Sequence, residues 1–356
     1  MRGKGWVGYG SALLAAALFG AAFPVVKGLL QGTDPLALAG LLYAASGIGL
    51  GAVRMLLSVF GRRERSEAPI RRGDLGWLAA AILSGGVVAP ILALAGLDRT
   101  PAHVASLLLS TEALFTILLA IAFFGDFLVR KEIWGVAIIL LGAALVAGGG
   151  GDAQGVIRWE GPVLILLSTF CWGLDNNFTQ RLSARDPLEI ASLKGLAAGG
   201  VNLGLSALAG IPIPLGARVL GVSAILGFLS YGVSLVLFVG ALRRLGSART
   251  AALFATAPLF GVALAWALLA EVPTLLVAVG GLLILPGTGL LIRAEHSHQH
   301  AHAPLEHEHR HEHDEHHRHD HEGEPGPEPH SHRHRHEAME HEHAHVADLH
   351  HRHEHP

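Results

Sequence analysis

From Trp6 to Ile292 the chain consists of apolar runs of roughly 18–24 residues, separated by short connections of Gly, Pro and charged residues. An α-helix rises about 1.5 Å per residue, so each run can cross about 30 Å of hydrocarbon. The pattern predicts an all-α polytopic membrane protein with ten transmembrane helices, at 6–27, 34–57, 74–96, 101–124, 131–149, 160–182, 187–209, 218–240, 247–269 and 273–292. A soluble protein with buried helices would show polar faces at helical period, and most of these runs show none. Beyond Ile292 the pattern reverses: apolar residues nearly vanish and histidine alternates with charge.

Charge divides the chain at the same place. The tail from His296 holds 23 of the 24 histidines and five Arg against 14 Asp and Glu, so it carries −9 with neutral imidazoles, while residues 1–295 carry +6. The averages, 51% hydrophobic residues and a mean hydropathy of +0.44, therefore describe neither part. Basic connections stay on the cytoplasmic side of a membrane. Arg2, Lys4, Arg54, Arg62, Arg63, Arg65, Arg71, Arg72, Arg130, Lys131, Arg181, Arg185, Arg243, Arg244, Arg249 and Arg293 fall on one side of the ten spans, and Arg99, Arg158 and Arg218 on the other. Both termini, and with them the tail, are expected in the cytoplasm, with the body in a cytoplasmic (inner) membrane. A first span cleaved as a signal peptide would fit Arg2, Lys4 and Ala21-Ala22, but its removal upsets this parity. One cysteine, Cys171, permits no intramolecular disulfide.

The spans repeat. "LFGAAFPVVKGLLQGTDPLALAGLLYAASG" (18–47) lines up with "CWGLDNNFTQRLSARDPLEIASLKGLAAGG" (171–200) once one gap is allowed. Gly20 then meets Gly173, and Asp34-Pro35-Leu36 meets Asp186-Pro187-Leu188. Residues 100–126 match 246–271, each segment closing on an acid, Asp126 or Glu271. A five-helix unit repeated once must be inverted, because five is odd, and inverted repeats with a midplane site are the usual build of secondary transporters. The divisions expected are a first repeat over 1–149, a connection over 150–159, a second repeat over 160–293 and a disordered tail over 294–356.

With their aromatic-Gly openings, Pro-Leu turns and small-residue helices closing on an acid, the two units resemble the EamA repeats of the drug/metabolite transporter superfamily over roughly residues 8–293. The resemblance implies ten helices in two inverted repeats and secondary transport, and it names no substrate. Pro258 takes the place of the mid-helix proline of the second repeat; the matching place in the first holds Glu112, a departure that puts a carboxylate within the membrane.

Close helix contacts are predicted at Gly47-xxx-Gly51, Gly195-xxx-Gly199 and Gly200-xxx-Gly204. Ionisable groups within the spans are few and costly, so they should face an interior. In the sixth span Ser168, Cys171, Trp172, Asp175, Asn176 and Thr179 share a face; Lys194, one helix away, can neutralise Asp175; Glu112 has Thr116 one turn later, with Ser106 and Ser110 rotated away. Glu112, Asp175, Asn176, Thr179 and Lys194 are the candidate substrate or ion pathway, for a zwitterionic or charged metabolite or for proton exchange; a Lys194–carboxylate pair that only fixes packing is the plain alternative. Lys27 is expected to snorkel to the outer interface. No GxSxG, HExxH or Walker sequence occurs, which argues against an enzyme and against a required cofactor.

The tail has too little apolar surface to fold on its own and reads as disordered. His307, His309, His311, His313, His316, His317, His319 and His321 form one cluster, and after the break "GEPGPEP" (323–329) a second comprises His332, His334, His336, His341, His343, His345, His350, His351, His353 and His355. Neutral imidazoles bind Zn, Ni, Co and Cu(II), and the spacing is too uniform to define one geometry. An imidazole pKa near about 6.5 would also let acidification dock the tail on anionic lipid. Two functions follow. The first is a secondary active transporter, an exporter of a small polar metabolite or amino-acid-like solute, with a metal-binding regulatory or buffering tail. The second is a divalent Zn, Ni or Co transporter loaded by that tail, weakened because the helices offer no cluster of His, Cys or carboxylates. The partners implied are a small-molecule substrate, the lipid bilayer and transition-metal ions; a homodimer is an allowed assembly and no nucleic-acid partner is expected.

Overall fold

The computed structural model describes residues 2–59, 68–124, 130–149, 159–182, 185–245, 253–254, 256–292, 296–302, 305–311, 330–336 and 339–345. Its helices are α1 (Arg2–Gly20), α2 (Ala22–Leu30), α3 (Pro35–Val59), α4 (Leu75–Ala81), α5 (Ala89–Asp98), α6 (Ala102–Leu108), α7 (Thr111–Phe124), α8 (Arg130–Gly149), α9 (Glu160–Leu182), α10 (Pro187–Leu208), α11 (Ala217–Leu226), α12 (Ser234–Leu245), α13 (Ala257–Leu269) and α14 (Leu275–Ile292). Two wider π-helical segments, Ile82–Val88 and Gly227–Val233, join α4 to α5 and α11 to α12. Where the sequence predicts plain spans, the structure thus puts a π segment in the third and eighth and a break at Leu109–Ser110 in the fourth.

The matched Asp-Pro turns start two of these helices in the same way. Asp34 Oδ1 accepts the Leu36 N–H at 2.8 Å at the head of α3, and Asp186 Oδ1 accepts the Leu188 and Glu189 N–H groups at 2.9 and 3.4 Å at the head of α10. Proline as first helical residue sacrifices no hydrogen bond there.

The helices bury polar groups in their apolar interior and expose large apolar side chains outside, unlike a water-soluble bundle. Leu14, Ile48, Leu141, Ile225, Trp266 and Leu282 are exposed, whereas Ser46, Ser168, Thr169, Asp175, Lys194, Asn202 and Ser206 are buried. A lipid solvent favours that arrangement, because each polar group must find its partner within the protein. Among the described residues four continuous helical stretches are long and apolar enough to span a membrane: Val7–Leu30, Pro35–Val59, Arg72–Asp98 and Ala217–Ala241. Ile133–Gly149, Ala257–Leu269 and Leu275–Leu290 are apolar but shorter, and α9 and α10 carry the buried charges that lower their hydropathy.

Small residues let the backbones meet. A Cβ on Gly47 would lie 2.2 Å from Leu196 N, and one on Gly199 would lie 2.4 Å from Ala44 N, so α3 and α10 touch along their main chains. The expectation fails for Gly51, Gly200 and Gly204, which face open space; the contact runs through Gly40, Ala44 and Gly47 on α3 and Gly195, Gly199 and Leu203 on α10. Gly96 against Ile165 joins α5 to α9, and Gly142 against Ile284 joins α8 to α14, each with its Cβ position 2.7 Å from the isoleucine Cγ1. The packing is also paired in kind: α5 lies on α9 as α12 lies on α1, and α7 on α9 as α13 lies on α1 and α2.

In the tail, where composition predicts disorder, His296–His302 pairs antiparallel with Met339–His345, and Leu305–His311 with His330–His336. Alternation at period two, which denies the tail a core, is also the pattern an extended ribbon needs. Isolated two-stranded ribbons of this kind are marginal in water. His313, His316, His317, His319, His321, His350, His351, His353 and His355 lie outside the described residues, as do Asp126 and Arg249.

Candidate functional site

The five residues of the predicted pathway come together where α7, α9, α10 and the first π segment meet. Lys194 on α10 donates to Asp175 Oδ2 on α9, both side chains buried, and Thr179, one turn along α9, donates to Asp175 Oδ1 at 3.1 Å. On the adjoining face of α9 the Asn176 amide donates to Glu112 Oε1 at 2.8 Å and to Thr116 Oγ1 at 3.1 Å, while the Thr116 hydroxyl donates to the Glu112 carbonyl at 2.8 Å. Asn177 extends this seam, donating to Thr116 O at 3.0 Å and to Gly173 O at 2.8 Å. Two carboxylates thus share one polar layer. One is neutralised by a lysine; the other, among the described residues, has no ion-pair partner.

The floor of the site is the π segment. A Cβ on Gly85 would stand 2.0 Å from Asp175 Oδ2, so only glycine admits the carboxylate. The Ala89 N–H turns to Ser84 O, and position 90 is a proline with no N–H to give. The Gly85 carbonyl is left for side chains, and it accepts Tyr43 Oη–H at 2.7 Å and Trp172 Nε1–H at 3.1 Å. Asn202 donates to the next carbonyl, Gly86 O, at 3.1 Å. Around these donors Phe19 and Trp172 meet edge to face at 5.9 Å, and Tyr43 and Tyr231 lie 5.3 Å apart, an aromatic wall beside the charged layer.

Sequence reasoning missed Tyr43, Gly85, Asn177 and Asn202, and it missed the partners of Lys27. Lys27 caps the end of α5: its ammonium donates to Leu97 O, to Asp98 O at 3.1 Å and to Thr100 O at 2.9 Å. Carbonyls at a helix C-terminus attract a cation. A second missed contact joins regions 168 residues apart: Glu271 Oε2 accepts the His103 main-chain N–H at 3.0 Å and lies 2.9 Å from His103 Nδ1. Burial pushes the Glu271 carboxyl up, but the hydrogen bonds from the His103 ring and from the His103 and Ala102 N–H groups outweigh it and hold the pKa below the ordinary carboxylate value. At the opposite end Arg54 pairs with Glu189 at 2.8 Å and Arg185 with Asp74 at 2.8 Å. Among the described residues no three His, Cys, Asp or Glu side chains gather as a metal site.

The profile of the EamA-like transporter family matches this chain twice, over residues 6–148 and 159–293. The chain belongs to the EamA-like transporter family. Similar EamA proteins include an "Uncharacterized transporter" of Methanothermobacter thermautotrophicus, 32% identical over 80% of this chain and 85% of the relative. A "Probable terminal-alkyne amino-acid exporter" of Streptantibioticus cattleyicolor is 28% identical over 79% of this chain and 92% of its own length. A "Probable amino-acid metabolite efflux pump" of Salmonella typhimurium is 28% identical over 49% of this chain and 54% of its own. A crystal structure 16% identical in sequence covers 82% of this chain and 98% of its own with a TM-score of 0.58, a likeness of fold. The EamA assignment makes this a membrane transporter and sets the polar layer within it.

Proposed function

We propose that this EamA protein is a secondary active exporter of a small zwitterionic, amino-acid-like metabolite, and that Asp175, Lys194, Glu112, Asn176 and Thr179 form its substrate and proton pathway. The observation that carries the reading is the unequal neutralisation of the two carboxylates. Asp175 already has a cation in Lys194, whereas Glu112 meets only the neutral Asn176 amide and the Thr116 seam. A carboxylate within the membrane takes a proton or a cationic group. A substrate ammonium and a proton would then compete for Glu112, while a substrate carboxylate displaces Asp175 from Lys194. The names of the amino-acid exporter and efflux pump support the solute class.

In the same reading the body is two inverted five-helix repeats, supported by the paired packings and the paired π segments. Both termini lie in the cytoplasm, and the tail binds Zn, Ni, Co or Cu(II) as an accessory. The test is accumulation of a radiolabelled amino-acid panel in inside-out vesicles under a pH gradient, with the parent, Glu112→Gln, Lys194→Ala and a chain lacking residues 296–356. Gradient-driven accumulation that disappears in the two point variants and survives tail removal is expected. Transport by Glu112→Gln at the parent rate, or metal flux in place of amino-acid flux, would sink the proposal.

A further inference from the structure

Glu271 and His103 come from the two halves of the chain and meet at the end of the bundle that the charge pattern assigns to the outer side. The chain bends to bring them together. Ala270, closing α13, adopts the left-handed conformation (φ 53°), a cost that a non-glycine residue bears only where its surroundings impose it. The turn delivers the Glu271 carboxylate onto the first N–H groups of α6, whose N-cap, Pro101, offers no side-chain acceptor. Directly beneath, the end of α1, α6 and α13 close on one another with almost no side chains between them. A Cβ on Gly20 would lie 2.0 Å from Ala257 O, and one on Gly261 would lie 2.4 Å from Ser106 Oγ and 3.0 Å from Gly20 O. The break at Leu109–Ser110 separates α6, in this seal, from α7, which carries Glu112 in its first turn. Among the described residues the hydroxyls of Ser106 and Ser110 are buried beside that break without a hydrogen-bond partner.

We propose that α6 is the outer gate of the transport cycle: it swings on Leu109–Ser110, and the His103–Glu271 contact latches it closed. The proposal rests on the transport reading and its orientation, and it assigns the structure to the state closed towards the outside. Export requires the latch to part once per cycle, so the equilibrium between closed and outward-open forms should depend on it.

The experiment reads accessibility and needs no substrate. In full-length protein carrying Cys171→Ala and Thr116→Cys, a membrane-impermeant maleimide is applied from outside in right-side-out vesicles and from inside in inverted ones. Adding Glu271→Gln or His103→Ala should speed labelling from outside about fivefold or more, with labelling from inside unchanged or slower. Equal acceleration from both sides would be general loosening and would overturn the gate. Labelling from inside alone, unaltered by either substitution, overturns the gate but leaves the pathway. No labelling from either side removes the pathway and the gate together, and acceleration only from inside overturns the assigned orientation and the gate as stated.

Discussion

Asp175 and Glu112 reach one polar layer from α9 and α7, yet their surroundings differ in kind. Asp175 is enclosed by a lysine ammonium, a threonine hydroxyl and the bare Cα of Gly85, every contact built around a fixed negative charge. The Glu112 carboxylate meets the neutral Asn176 amide, while the Thr116 hydroxyl beside it goes to the Glu112 main-chain carbonyl. The first is paired with a cation, and the second, among the described residues, is not. What makes them different is the partner, since residue type, depth and helix environment are nearly shared.

The largest effect should come from breaking the committed side. Lys194→Ala leaves Asp175 buried without its cation, which costs about 3–5 kcal/mol. Adding Asp175→Asn should recover most of the loss, because two neutral groups replace one orphaned charge. Thermal unfolding in detergent micelles reads both; a single variant as stable as the parent would mean that the pair is not closed in the resting protein. Gly85→Ala comes next. The new methyl would overlap the Asp175 carboxylate, and the π segment would have to shift, at about 1–3 kcal/mol. Because that shift pushes on the pair, Gly85→Ala and Asp175→Asn should be strongly non-additive in a double-mutant cycle. Tyr43→Phe is milder: it removes one of two donors from the Gly85 carbonyl and should cost about 1 kcal/mol, with the Trp172 bond still in place.

These contacts differ in how far the sequence betrayed them. Asp175, Asn176 and Thr179 were legible because they recur at helical steps on one span, and Lys194 because a buried acid calls for a cation on a neighbouring helix. The Asp-Pro starts of α3 and α10 were legible for the same local reason. That Asn176 bonds Glu112, or that Gly85 lies beneath Asp175, depends on how helices cross, and no periodicity carries that. A signal for the π segment was present in Gly85-Gly86 followed by Pro90, five residues beyond Gly85, where a carbonyl loses its donor. The partners of Lys27 were not legible because hydropathy locates the end of its own helix and not the end of α5 beside it. His103 and Glu271 are 168 residues apart, and only the fold makes them neighbours.

The smallest stability effect belongs to the substitution with the most to say about transport. Glu112→Gln keeps the length and the Oε1 that accepts the Asn176 amide, and removes only the ability to carry charge or exchange a proton. Folding should change by less than about 1 kcal/mol, in contrast to the several kcal/mol expected at Lys194 from the same layer. Gradient-driven accumulation should nevertheless be lost, and it should be lost at every external pH, since no titrating group would remain at that position. Measuring the two properties on one preparation separates the roles: a stable protein without coupled flux assigns Glu112 to the cycle, whereas a large loss of stability would show that its charge is committed to the fold in the way Asp175's is.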